Sequence, residues 1–131
     1  MSVAFKPGDV LRVIYSGLVD GEIKVRRVLF WMYSQTNQQR ILISPFHGTV
    51  TNRKWELRYS PKPGNGLSKN CVLRISDTHY LDIGSIPKLL GHLDQIDFAD
   101  AKNMMIEYSD YVKNSSPEDF DCDPFSIFTE E

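Results

Sequence analysis

The apolar residues of this 131-residue chain change their spacing once, and that change limits the folds open to it. Through the first two-thirds they alternate with polar residues or gather in short runs of β-branched and aromatic side chains, the pattern of strands. In the last third Phe98, Ala101, Met105, Tyr108 and Val112 follow at spacings of three, four, three and four, so one face of a helix is apolar. Several short antiparallel strands followed by one docked helix predict an α+β arrangement, most economically a small curled barrel. The length supplies one domain and no internal repeat divides it.

The first strand is predicted over residues 10–15, after the turn signal Pro7-Gly8-Asp9. Asp20-Gly21 marks a hairpin turn, because glycine enters positive φ without steric cost. A second strand is predicted from Ile23 to Tyr33, and a third over residues 40–44, ended by Pro45, whose missing N–H cannot join a ladder. Residues 55–59 alternate as a half-buried strand does, residues 60–66 form a loop with two prolines and two glycines, and residues 71–75 and 80–83 read as two further strands. Ser85-Ile86-Pro87 predicts the start of a short helix that stops at Gly91. Asp94 is placed to cap the long helix, with Asp97 and Asp100 near its positive end. Met104 and Met105 read as core packing.

Composition excludes several classes. With 41% hydrophobic and 24% charged residues the chain reads as an ordinary globular domain, and its longest apolar run, residues 28–33, is too short to span a bilayer. The opening Met1-Ser2-Val3-Ala4-Phe5-Lys6 lacks a secretory pattern, so a cytoplasmic protein without a membrane partner is expected. Cys71 and Cys122 make neither a disulfide framework nor a metal quartet, and no cofactor motif or metal-ligand spacing is present. The net charge of −2 is unevenly placed: up to residue 114 there are 15 bases and 11 acids, a body at +4, and after it six acids and no base. A basic body of that size is compatible with a polyanion partner.

The segment Gly66-Leu67-Ser68-Lys69-Asn70-Cys71-Val72-Leu73-Arg74-Ile75-Ser76-Asp77-Thr78-His79-Tyr80-Leu81-Asp82 resembles the MazF/PemK family of toxin ribonucleases. Pro7-Gly8-Asp9-Val10 is similar to the family's opening, Arg26-Arg27-Val28-Leu29-Phe30 to its Arg-Pro strand, and Ile41-Leu42-Ile43-Ser44-Pro45-Phe46 to its third strand. Leu90-Gly91-His92-Leu93 stands where the family has a short helix ending in Leu-Gly-x-Leu. The resemblance spans residues 7–112. It implies an SH3-like barrel of the CcdB/PemK type with a short helix and a C-terminal helix (domain 1–114, with a flexible acidic tail over 115–131), usually a homodimer held in check by an antitoxin. The implied activity is metal-independent cleavage of single-stranded mRNA, in which a base deprotonates the ribose 2′-OH and the products carry a 2′,3′-cyclic phosphate and a 5′-OH.

Such chemistry needs a proton acceptor, a proton donor and cations around the phosphate. The resemblance places Arg74 at the phosphate, although a solvent-facing position on an alternating strand also fits it. Ser76 stands two positions along the same face, where some relatives carry an Asp, while Asp77 points away unless the strand ends there. Either Arg26 or Arg27 takes the place of the family's second Arg, and strand alternation lets only one reach a common site, leaving the other solvated. His47 is a candidate base or acid, or a loop residue with no role. Thr49, Thr51, Arg53 and Lys54 can bind backbone phosphates, and Tyr80, with Tyr33, Trp55 and Tyr59, can stack on bases or belong to the core. His79 and His92 read as surface or helix-end residues. Residues 16–22 form a shorter loop than relatives have, with no base candidate. In the tail Phe120, Phe125, Ile127 and Phe128 interleave with acids, the composition of a segment that occupies a basic groove or of a solubilising end. The alternative to the nuclease is a catalytically impaired member of the fold that binds RNA or a protein, as a gyrase-poison-like or regulatory module does.

Overall fold

The computed structural model describes residues 4–16, 23–83 and 87–115. Seven strands and one helix occupy them: β1 (Asp9–Ser16), β2 (Ile23–Tyr33), β3 (Arg40–His47), β4 (Glu56–Tyr59), β5 (Cys71–Arg74), β6 (His79–Asp82), β7 (Lys88–His92) and α1 (Gln95–Ser115). All strand pairs are antiparallel, in the order β4-β5-β3-β2-β1-β7, with β6 also on β3. The sheet curls into a half-barrel, and the chain is α+β with a C-terminal helix. The predicted turn at Asp20-Gly21, the loop after the first strand, Ser85-Ile86, Cys122 and the acidic tail lie outside the described residues.

β2 shows why the sheet curls. Val28, Leu29, Phe30 and Trp31 are each no more than 3% exposed, so this strand is buried on both faces. Leu29 and Trp31 face a cluster with Val10, Leu42, Leu73, Leu93 and, from the helix, Ala101 and Met105. Val28 and Phe30 join Phe5, Leu11, Val13, Ile41 and Ile43 in a second cluster on the other face. A strand covered on both sides reads as a continuous apolar run rather than an alternating one. Register shifts at Phe30/Met32 against β3 and at Val10/Leu11 against β7 add local twist, which draws the edges inward. The Trp31 indole N–H donates to Ser44 Oγ at 2.7 Å, and Ser44 also bonds Thr78, so the polar atoms in this core are satisfied.

Two expectations fail here for identifiable reasons. Pro45 does not end the third strand: β3 runs to His47. One edge of β3 pairs with β6 up to Ile43 and with β5 from Phe46, so Pro45 falls in the step between partners, where no ladder N–H is needed on that edge. The short helix before Gly91 is absent, and Lys88–His92 forms strand β7, paired with β1. The open edge of β1 offers this segment a ladder, and tertiary pairing outweighs a weak helix-start signal. Gly91 is needed there for close approach, since a Cβ would meet Gly64 O and Gly66 N at 2.5 Å.

The long helix forms as its periodicity predicts. Asp94 Oδ1 accepts the Asp97 N–H at 2.8 Å, an N-cap that, with Lys62, holds the Asp94 carboxyl below its ordinary pKa. The Tyr59 hydroxyl donates to Asp97 O at 3.0 Å and ties the first turn to β4. Ala101 and Met105 are fully buried, with Phe98, Met104 and Tyr108 packed around them. Among the described residues no helix is long and apolar enough to cross a membrane.

Candidate functional site

Three chain segments line a cleft of about 230 Å³. β2 brings Val25, Arg26 and Arg27, the end of β3 brings Phe46, His47 and Gly48, and the approach to β5 brings Leu67, Ser68, Lys69 and Cys71. Arg26 and Arg27 both line it, contrary to the expectation that alternation would leave one solvated, and both are half-buried. The Arg27 Nε–H donates to Gly66 O at 3.1 Å, which fastens the loop before β5 against β2. The Lys69 side chain folds over Gly48, with Nζ 2.6 Å from where a Cβ would stand.

Beneath the cleft runs a chain of charged groups. The Arg74 Nε–H donates to Glu56 Oε2 at 2.6 Å, and the side chains are 15% and 2% exposed. Glu56 also accepts from the Thr51 hydroxyl and the Arg53 backbone N–H. Burial alone would raise the Glu56 carboxyl, but these hydrogen bonds and the Arg74 charge outweigh it and hold it below its ordinary pKa. On its other side Arg74 Nη1 lies 3.6 Å from Asp77 Oδ2, and the same oxygen lies 3.4 Å from His47 Nε2. That His47 nitrogen is buried without a hydrogen-bond partner among the described residues. Burial, then Arg74, then Arg26 favour its neutral form more than Asp77 favours the charged one, so its pKa is lowered.

Asp77 reaches Arg74 because the strand ends. β5 stops at Arg74, and Ile75–Asp77 is a turn of 3₁₀ helix, which brings residue 77 back over residue 74. This overturns the placement of Ser76 two positions along a continuing strand: Ser76 is exposed in the turn, and its carbonyl accepts from the Tyr108 hydroxyl at 3.4 Å.

The structure thus gathers His47, Arg26 and Arg27 at one cleft, with Arg74 behind them. The other candidates stand elsewhere. Thr49 is exposed beyond Gly48, and Arg53 is exposed with its N–H turned to Glu56. Lys54 Nζ sits 5.0 Å over the Trp55 ring, and Tyr80 lies beneath the Arg40 guanidinium on β6. Tyr33 and Tyr59 are packing residues, one accepting the Phe5 N–H and the other buried against α1. His79 is exposed with Nδ1 on Asp77 O, and His92 Nδ1 meets Asp9 Oδ1 at 2.7 Å from strand β7. Sequence reasoning passed over Lys69 and Glu56. Lys69 stands in the quoted Gly-Leu-Ser-Lys stretch and was readable as a cation beside a loop, whereas Glu56 looked like any polar position on an alternating strand.

Chemically the cleft combines three basic side chains, Arg26, Arg27 and Lys69, with an imidazole biased toward its neutral, proton-accepting form. Comparison with protein-family models matches none, and comparison with curated proteins finds no match.

Proposed function

We propose that the cleft binds the sugar–phosphate backbone of single-stranded RNA and cleaves it without a metal, as the resemblance to the MazF/PemK toxins implies, with an antitoxin and a second copy of the chain as partners. The observation that carries this reading is the placement of His47, neutral-biased, in the same cleft as Arg26, Arg27 and Lys69. His47 takes the proton of the ribose 2′-OH, the 2′ oxygen attacks the adjacent phosphorus, and the bond to the 5′ oxygen breaks, leaving a 2′,3′-cyclic phosphate. Arg26 and Arg27 hold the charge that builds on the phosphoryl oxygens. Lys69 is the cationic group able to give a proton to the leaving 5′ oxygen, because a guanidinium does not surrender one.

A second reading, a non-catalytic RNA- or protein-binding module, is favoured by one observation: Arg74 is committed to Glu56 and Asp77 instead of facing the cleft. Purified protein incubated with single-stranded RNA, with and without chelator, separates the two. Chelator-resistant cleavage leaving 5′-OH ends, lost in His47→Gln, supports the nuclease. Binding without cleavage, weakened in Lys69→Ala, supports the module. Neither binding nor cleavage removes both.

A further inference from the structure

Trp55 has φ of +69°, a left-handed conformation that a bulky side chain rarely adopts without a compensating role. Its ring stands 5.3 Å from that of Tyr108 and 5.5 Å from that of Tyr111, and the two tyrosine rings stack 6.5 Å apart at 29°. Trp55 and Tyr108 lean on the core cluster, but core packing does not account for the outer part of the group, since Tyr111 is 51% exposed and Trp55 only half-buried. Lys54 Nζ lies over the Trp55 ring at 5.0 Å from its centroid and over that of Tyr111 at 5.4 Å, which sets a cation against the face of the aromatic surface. The group adjoins the cleft through the 3₁₀ turn: the Tyr108 hydroxyl bonds the Ser76 carbonyl, and the next residue, Asp77, is the one beside His47.

We propose that Trp55, Tyr108 and Tyr111 form a stacking platform for an unpaired base of a single-stranded nucleic acid whose neighbouring phosphate occupies the cleft, with Lys54 beside the sugar–phosphate link between them. This rests on the reading of the cleft as an RNA-backbone site. A nucleotide matches the surface in both its parts, a flat π-face for the exposed Tyr111 ring and the half-buried Trp55 beside it, and an anion for Lys54, whereas an aliphatic anchor would need a closed pocket. A duplex keeps its bases stacked on one another, so the occupant is single-stranded. Stacking of this kind tolerates every base and adds affinity without reading sequence.

The test compares a short oligoadenylate with an abasic ribose-phosphate oligomer of equal length, both titrated against the full chain and three variants. The oligoadenylate is expected to bind about tenfold more tightly per stacked base. It is also expected to quench the emission of Trp55, the more exposed of the two indoles, since Trp31 is 3% exposed. Tyr111→Ala, on an exposed helix position, erases that advantage while leaving abasic binding unchanged, and Tyr111→Phe restores it. Equal affinity for the two oligomers overturns the platform. If abasic binding is nonetheless lost in Arg26→Ala, the cleft reading survives that failure. Base-dependent binding that persists in Arg26→Ala but vanishes in Tyr111→Ala supports the platform and overturns the cleft. Loss of both kinds of binding in Tyr111→Ala, with the far-ultraviolet spectrum intact, also overturns the platform.

Discussion

At His47 three groups and burial act on a single imidazole, and removing them one at a time gives distinct results. The folded-state pKa lies below the ordinary 6.5, with burial the largest cause. As pH falls the unfolded chain takes up this proton first. The contribution to stability is therefore complete above pH 6.5 and is lost as pH drops through the folded value. His47→Gln is expected to lose less stability than the parent between about pH 7 and about pH 5, measured by denaturant unfolding. Asp77→Asn removes the main influence that raises this pKa, so the acid limb of any cleavage profile moves to lower pH; a limb that stays in place contradicts the assigned base. Glu56 presents a different case. Its carboxylate is 2% exposed and holds Arg74, so Glu56→Ala leaves a cation that is 15% exposed with only the longer contact to Asp77 and costs about 3 kcal/mol. Glu56→Gln, which keeps acceptors for Thr51 and Arg74, costs less. Equal losses in the two variants would show that the charge, and not the hydrogen bonds, matters.

Among the elements, β7 and the loop before β5 depend on each other. Gly66 has φ +76° and lies against Leu90, while the backbone of residues 64–66 fills the space that a Gly91 side chain would take. The obstacle is main chain on both sides, so Gly91→Ala has no flexible neighbour to push aside. It should cost about 1–3 kcal/mol or more and loosen β7 from β1, read as faster amide exchange at Leu89 and Gly91. Because the same loop carries Leu67 and Lys69 into the cleft, the variant also weakens anion binding. Unchanged exchange at both amides would mean that the segment is not held by this packing. Helix α1 docks through Tyr59, Ala101 and Met105, and the same loop reaches its first turn through the pairing of Lys62 with Asp94 and Asp97.

For the molecule as a whole, charge placement is the property that a polyanion senses. A chain at −2 overall presents a body at +4 and concentrates three cations, Arg26, Arg27 and Lys69, at one cleft. If all three contact backbone phosphates, the logarithm of affinity for a single strand falls with the logarithm of salt at a slope of about −2. Lys69→Ala reduces that slope by just under one. A slope near zero would leave the cleft without a phosphate role.

Much of this was legible in the order of residues. Helix α1, its Asp94 cap and its buried face follow from spacing alone, because the 3.6-residue period of a helix is local. Most strands follow from short β-forming runs, and His47 and the Arg26-Arg27 pair stand out by residue type. Other features depend on groups far apart in the chain. Whether residues 88–92 become helix or strand depends on an open edge of β1 nearly eighty positions earlier, and whether Pro45 ends β3 depends on where two partners leave a gap. The Arg74–Glu56 pair, the return of Asp77 toward His47 and the burial that lowers the imidazole's pKa arise only when β3, β4 and β5 come together. Propensity and pattern are properties of neighbouring residues, whereas desolvation and Coulomb energy belong to distances that folding alone creates.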